Sequence, residues 1–441
     1  MEETNKQINR KKVLFSFIML LLFLPLIQQS LDIFPKNNLR GSFELKKKPS
    51  LTTESWLKGE FQTKYQGYLN DHLGFRPFFV RIYNQMHFSF YNIAKANSVL
   101  VGRESMLFEE NYIKAHLGLD YVGEKIIKDK AFKLKKIQDT LAKKGIDLIV
   151  MLAPGKASFY PEFIPESFDG KEKDSTNYKT YKKELLASEV NVLDFNKWFI
   201  DLKDTIGFNL FPKNGIHWSR SGQVLVIDSL LKSISKIHKV ILPSVNIVSS
   251  YRSAEMIGSE QDIEDGMNLL VDIPDYEMKF PTIEYVGENV SNTTMLTVSD
   301  SYYGGMLNFD LNLKVFKNCE NWYYNRLRYI GNQDSTLEME FVNVQEEVEK
   351  NDVILIMATD ANLYNFAFGF IEDLYDIYYT KLEDRKSYKK EQRILNFMEA
   401  MRSNPEQNKS IAEKAKKNNV SFEKELRENA KYLVWVEDGK P

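Results

Sequence analysis

Nineteen residues from Val13 to Leu31 carry no charge and are dominated by Leu, Ile, Phe and Met. At about 1.5 Å per helical residue, such a run crosses the roughly 30 Å hydrocarbon core of a bilayer. The pattern predicts one transmembrane helix, with Pro25 accommodated as a kink. Lys6, Arg10, Lys11 and Lys12 precede the run, which places the N-terminus in the cytoplasm and the rest outside it. A cleaved signal peptide is the alternative. Against it, the run exceeds the usual apolar length and no A-x-A-like site follows before Asp32. The expected boundaries are 1–12 cytoplasmic, 13–33 anchor and 34–58 a polar, Lys-rich linker.

Phe61 to Tyr91 carries aromatics and Leu at helical spacing, broken at Gly74-Phe75-Arg76-Pro77, and reads as two helices meeting at a corner. Ser98 to Phe108 reads as a strand and turn punctuated by Gly102. Glu124 to Lys144 is an amphipathic helix ended by Gly145, and Ile146 to Leu152 is a near-continuous apolar run, as a buried parallel strand requires. Val190–Phe195, Thr294–Val298, Leu311–Phe316 and Val353–Met357 are the further expected strands, with a helix over Gly222–Ile237. This interleaving predicts an α/β fold, a doubly wound parallel sheet with helices on both faces, in which sites collect at the carboxyl ends of strands. One domain over 59–378 is expected, then a helical extension over 379–441, where charged helix formers take over and Ser421 can cap a helix.

Composition narrows the function. A formal net charge of −2 gives no electrostatic footprint for nucleic acid. A single cysteine, Cys319, permits neither an internal disulfide nor a cysteine-based zinc site. The five histidines are scattered with no H-x-x-x-H pair, so no metal or other cofactor is expected.

Two segments carry candidate chemistry. In Thr297-Val298-Ser299-Asp300-Ser301-Tyr302-Tyr303-Gly304-Gly305 a buried strand runs into a Ser within a tight turn. Ser301 would then stand at the strand's carboxyl end, where backbone N–H groups could hold an oxyanion. A Ser/Asp helix cap is the plainer reading. In Phe211-Pro212-Lys213-Asn214-Gly215-Ile216-His217-Trp218-Ser219, His217 precedes a helix and could serve such a Ser as general base. A structural His beside Trp218 is the plainer reading there. Both segments fall at strand-to-helix junctions, which strengthens the pair over either alone.

These segments, with three others, resemble the SGNH hydrolase-like proteins related to the alginate O-acetyltransferases of the J and X types. Tyr68 to Arg76, with Asp71 and Phe75-Arg76, is similar to the family's N-terminal Asp…Phe-Arg helix. Val101 to Phe108 resembles its Gly-x-x-x-x-Leu-Phe turn, and Ala153-Pro154-Gly155-Lys156 with Tyr160-Pro161 its Pro-x-Lys…Tyr-Pro segment. His217-Trp218 resembles its His-Trp, and Ser299-Asp300-Ser301-Tyr302 its nucleophile turn. The five stretches lie in order across about residues 60 to 365.

The resemblance implies a Ser301 nucleophile and a His217 base that pass an acetyl group to a polysaccharide hydroxyl. It also implies work outside the cytoplasm, beside a multi-pass membrane acyltransferase that supplies acetyl groups. One departure matters: the family's Asp-x-His-Trp places an orienting acid where this chain has Gly215. Loss of such a carboxylate costs about 10⁴ in rate in a serine protease. A dyad, an acid from elsewhere and loss of catalysis all remain open, with Asp300 the acid nearest in sequence. Lys156, Trp218 and Tyr302 are candidate substrate contacts, while Asp71 and Arg76 read as a structural pair. An esterase of the same fold and a non-catalytic polysaccharide-binding protein are the competing functions.

Overall fold

Alternation along three apolar segments builds a core on both sides of one sheet. In the computed structural model, the central strands are β1 Asp147–Ala153, β2 Val192–Asp194, β3 Ser291–Ser299, β4 Phe316–Tyr323, β5 Leu327–Ile330, β6 Thr336–Glu338 and β7 Val353–Thr359. They lie in the order β6-β5-β4-β3-β7-β1-β2. Pairing from β4 through β2 is parallel, and β5 and β6 extend the sheet antiparallel. The structure describes residues 2–35, 37–41, 45–287, 291–331, 336–339, 342–380, 382–418 and 420–437. Parts of the expected linker (36 and 42–44) and of the helical extension (381, 419 and 438–441) lie outside them.

Successive strand residues face opposite sides. Ile149 and Met151 of β1 and Leu355 and Met357 of β7 therefore join one core cluster with Val224, Ile227 and Leu230 of the helix Arg220–His238. Leu148, Val150, Ile354 and Ile356 join the other, under the helices Glu124–Ala142 and Phe370–Tyr379. The first of these buries Ile127, Ala131, Leu134 and Leu141 at helical spacing and ends before Gly145, whose φ of +79° suits glycine. Helices thus cover both faces, as a parallel sheet requires.

One expected strand begins later. Leu311–Lys314 is a short helix, and the strand starts at Phe316. Leu311 and Val315 are fully buried while Leu313 is half exposed, the pattern of residues four apart on a helix rather than of alternating strand positions. The antiparallel pair Ser244–Ser253 and Met278–Val286 was not foreseen; the first of its strands is mostly exposed and shows no clean alternation.

The helix Glu2–Leu31 contains the apolar run. Its portion Arg10–Leu31 is long and apolar enough to cross a membrane. Helices Glu60–His72 and Arg76–Tyr91 meet at Phe75 (φ 61°), where Arg76 and Asp71 approach to 3.7 Å. The C-terminal helices Leu382–Ser403, Pro405–Asn418 and Phe422–Glu437 share a small core of their own, built around Ile394, Met401, Leu426 and Val434.

Candidate active site

The carboxyl end of β3 delivers Ser301, the first residue beyond its strand-to-helix turn, in an unstrained helical conformation (φ −64°, ψ −20°). Beneath it, Asp300 is fully buried and its carboxylate holds the turn in place. It accepts hydrogen bonds from the Tyr302 N–H (3.1 Å), the Thr359 N–H and hydroxyl (2.8 Å each) and the Asn362 amide (2.8 Å). These bonds tie the Ser301 turn to the end of β7. The residue before it, Ser299, donates to Asn321 Oδ1 at 2.7 Å inside the sheet.

His217 arrives from the loop before the helix Arg220–His238, and its Nε2 lies 2.9 Å from Ser301 Oγ. Its Nδ1 is hydrogen-bonded to a carboxylate oxygen of Asp262, whose other oxygen accepts from the Ile216 N–H at 2.9 Å. The acid at the imidazole is therefore Asp262, from the short helix Asp262–Met267, and not Asp300, whose oxygens are taken by the turn.

Three carboxylates at alternate positions fasten this segment to the His loop. Glu260 accepts from the Arg220 N–H (2.8 Å), Asp262 from Ile216, and Glu264 from the Asn214 amide (2.9 Å) and the Ile273 N–H. Gly215 makes the approach possible: a Cβ there would meet the Ser259 and Glu260 carbonyl oxygens at 2.6 and 2.7 Å. The missing side chain at 215 and the acid arriving from 262 are two sides of one arrangement.

Lys156, Trp218 and Tyr302, expected to face substrate, are all fully buried. The Lys156 ammonium donates to the Lys213 and Gly215 carbonyls at 2.7 Å each, clamping the His loop from below. Burial pulls its pKa down to about 7, against the pull of Asp275 and Asp262. Tyr302 donates to the Ile216 carbonyl, and its ring packs on those of His217 (4.8 Å) and Trp218 (5.3 Å). All three support the site from behind it.

Burial disfavours a charged His217, but the hydrogen bond and charge of Asp262, with Asp300 and Glu109 adding to it, hold its pKa above the ordinary 6.5. Ser301, His217 and Asp262 open on a cavity of about 230 Å³ that is also lined by Glu109, Asn111, Tyr323, Tyr324 and Asn362. The Glu109 carboxyl is raised by burial and then by the charge of Asp262. Tyr324 occupies the left-handed region (φ 50°), a conformation that costs a bulky residue about 1 kcal/mol or more. Its N–H donates to the Ser299 carbonyl at 2.8 Å. Burial, followed by the charge of Asp300, pushes its phenol up to about 12, so it stays a hydrogen-bond donor beside Ser301.

Asp262, Glu109 and Tyr324 escaped sequence reasoning because each reaches the cavity through a tertiary contact. The alternation of acids at 260, 262 and 264 is the one local signal that marks the first of them. A hydroxyl, an imidazole and a carboxylate hydrogen-bonded in series can remove the hydroxyl proton during attack on a carbonyl.

Residues 99–241 match the family model described as the SGNH hydrolase-like domain of the acetyltransferase AlgX. No curated protein matches the chain. Among solved structures, the chain is similar to the O-acetyltransferase domain of Pseudomonas putida AlgJ, at 16% identity over 64% of this chain and 99% of that one, with a TM-score of 0.42. It is also similar to Pseudomonas aeruginosa AlgX (15% identity, 62% and 67% covered, TM-score 0.38) and to Bacillus cereus PatB1 bearing a sulfonyl adduct (11%, 56% and 93%, TM-score 0.38). Residues 99–241 are thus similar to the SGNH hydrolase-like domain of the acetyltransferase AlgX.

Proposed function

We propose that the chain is an O-acetyltransferase that moves acetyl groups onto hydroxyls of a polysaccharide through an acyl-serine at Ser301. The observation that carries this reading is the series Ser301–His217–Asp262, opening on a cavity. In the first half-reaction Ser301 Oγ attacks the acetyl carbonyl while His217 Nε2 takes its proton. The bond from carbonyl to leaving group breaks, and the leaving group departs with that proton. In the second, a sugar hydroxyl gives its proton to His217 and attacks the acyl-serine; the serine oxygen leaves and recovers the proton. Asp262 orients the imidazole and stabilises its charged form.

The family match supports acetyl transfer. In this reading residues 59–378 form the catalytic domain. The apolar N-terminal helix serves as an uncleaved anchor, holding that domain outside the cytoplasm beside a multi-pass acyltransferase that delivers acetyl groups. The test incubates the full chain in detergent with an acetyl-ester donor and polysaccharide. Acetylated glycan from the wild type and none from Ser301→Ala supports the reading. Release of free acetate only, with glycan present in excess, replaces it with an esterase.

A further inference from the structure

The triad cavity does not end at the triad. Tyr324 and Asn362, on its rim, also line a groove of about 880 Å³. The far wall of the groove is the helix Leu382–Ser403, which contributes Arg393, Asn396 and Ser403. The helical extension therefore faces the site across an open cleft whose size falls within the roughly 300–1,000 Å³ range of ligand sites.

The lining has a consistent chemistry. Tyr364, 53% exposed, and Phe368 present aromatic faces, and Tyr324 packs against Phe368 at 4.9 Å. Asn365 and Asn396 present amides, while the Asn362 nitrogen is engaged by Asp300 and Thr359. Aromatic faces take the apolar side of a pyranose ring, and amides donate to and accept from its hydroxyls. Among the described lining residues the charges cancel: Lys130, Arg326 and Arg393 stand against Glu372, Asp373 and Glu399, with Lys130 and Glu372 paired at 3.0 Å. Towards the nucleophile the balance turns negative. Glu109 and Asp262 line the inner cavity with the imidazole of His217, and among the described residues no Lys or Arg does. A polyanionic glycan would need an excess of cations along such a path, arginine forks above all. Here a uronate carboxylate at the acceptor position would meet Glu109 and Asp262, with the single imidazole of His217 as the one group able to carry positive charge.

We infer that this groove binds a segment of an uncharged polysaccharide and leads one of its hydroxyls to the acyl-serine, with the C-terminal helices forming the outer wall. The inference rests on the transferase reading for the direction of the chain, but its test is one of binding. The full chain carrying Ser301→Ala, in detergent, is titrated calorimetrically with hexasaccharides of glucose, mannose, galactose and N-acetylglucosamine, and with a mannuronate hexasaccharide.

At least one neutral hexasaccharide should bind at least about tenfold tighter than mannuronate, the scale of one like-charge contact. Tyr364→Ala and Asn396→Ala, both at exposed positions, should each weaken that binding by about tenfold, the scale of one stacked ring or one hydrogen bond. Equal or tighter binding of mannuronate overturns the inference, as does neutral-sugar affinity that ignores both substitutions. Wild-type chain that acetylates Ser301 yet binds no glycan overturns the groove and leaves the serine chemistry standing. Binding without any acetyl-serine upholds the groove and removes the transferase reading.

Discussion

Asp262 reaches His217 across 45 residues of chain because Gly215 has no side chain. The segment that brings the carboxylate passes through the space a side chain at 215 would fill, and Glu260 and Glu264 fasten it on either side.

Asp262→Asn should therefore act on chemistry and pH together. Loss of an orienting carboxylate costs about 10⁴ in rate where such a series is established. The substitution also removes the main influence that raises the pKa of His217, leaving burial to lower it. The base works when neutral, so the acid limb of the wild-type rate profile should lie above pH 6.5. In the variant the limb should move to lower pH. A residual rate profile with an unmoved limb would assign Asp262 a merely structural part.

Gly215→Asp, which puts an acid where the resemblance to Asp-x-His-Trp expects one, should not raise activity. Its Cβ would meet backbone oxygens at 2.6 and 2.7 Å, and overpacking of this kind costs about 1–3 kcal/mol. The expected result is lower activity in the single variant and no rescue of Asp262→Asn in the double variant. Recovery of the wild-type rate by the double variant would show that either position can supply the acid.

Asp300→Asn separates a turn cap from a catalytic acid. Its carboxylate oxygens accept from Thr359, Asn362 and Tyr302, and leaving such buried donors poorly paired costs about 1–3 kcal/mol. A lower melting temperature is expected, with an acid limb much less displaced than in Asp262→Asn. The reverse pattern would restore Asp300 as the acid.

Asp360, buried at the end of β7, supplies a pH test of stability. Burial pushes its pKa from 3.8 up to about 7, with the Ser158 hydroxyl hydrogen bond acting in the opposite sense. Between those values the folded chain holds a proton that the unfolded chain has lost, so this group's contribution to stability is lost as pH rises through that window. Relative to Asp360→Asn, the wild type should lose melting temperature from about pH 4 to pH 7 and then run parallel. Curves parallel throughout would mean the folded carboxyl ionises at its ordinary pH.

The sheet was legible because Ile146 to Leu152 and Val353 to Met357 are buried on both faces and so read as unbroken apolar runs. Leu311 was misread because three apolar residues in five fit either period until burial separates Leu313 from its neighbours. Ser301 was legible as a strand-to-helix junction; His217 precedes a helix as expected, but the helix Phe195–Leu202 and a loop, not a strand, lead into it. Asp262 was not legible, since nothing near it in sequence points at a loop 45 residues earlier. Lys156, Trp218 and Tyr302 were placed facing substrate by their nearness to the key residues. Proximity along the chain does not tell the front of a site from its back, and here all three pack behind it.

Mass analysis of the full chain after brief exposure to an activated acetyl ester tests the central claim most directly. One acetyl group should appear, mapped to Ser301, forming far more slowly in Asp262→Asn and absent from Ser301→Ala. Acetylation that leaves Ser301 unmodified, or that proceeds equally in all three proteins, would contradict the account.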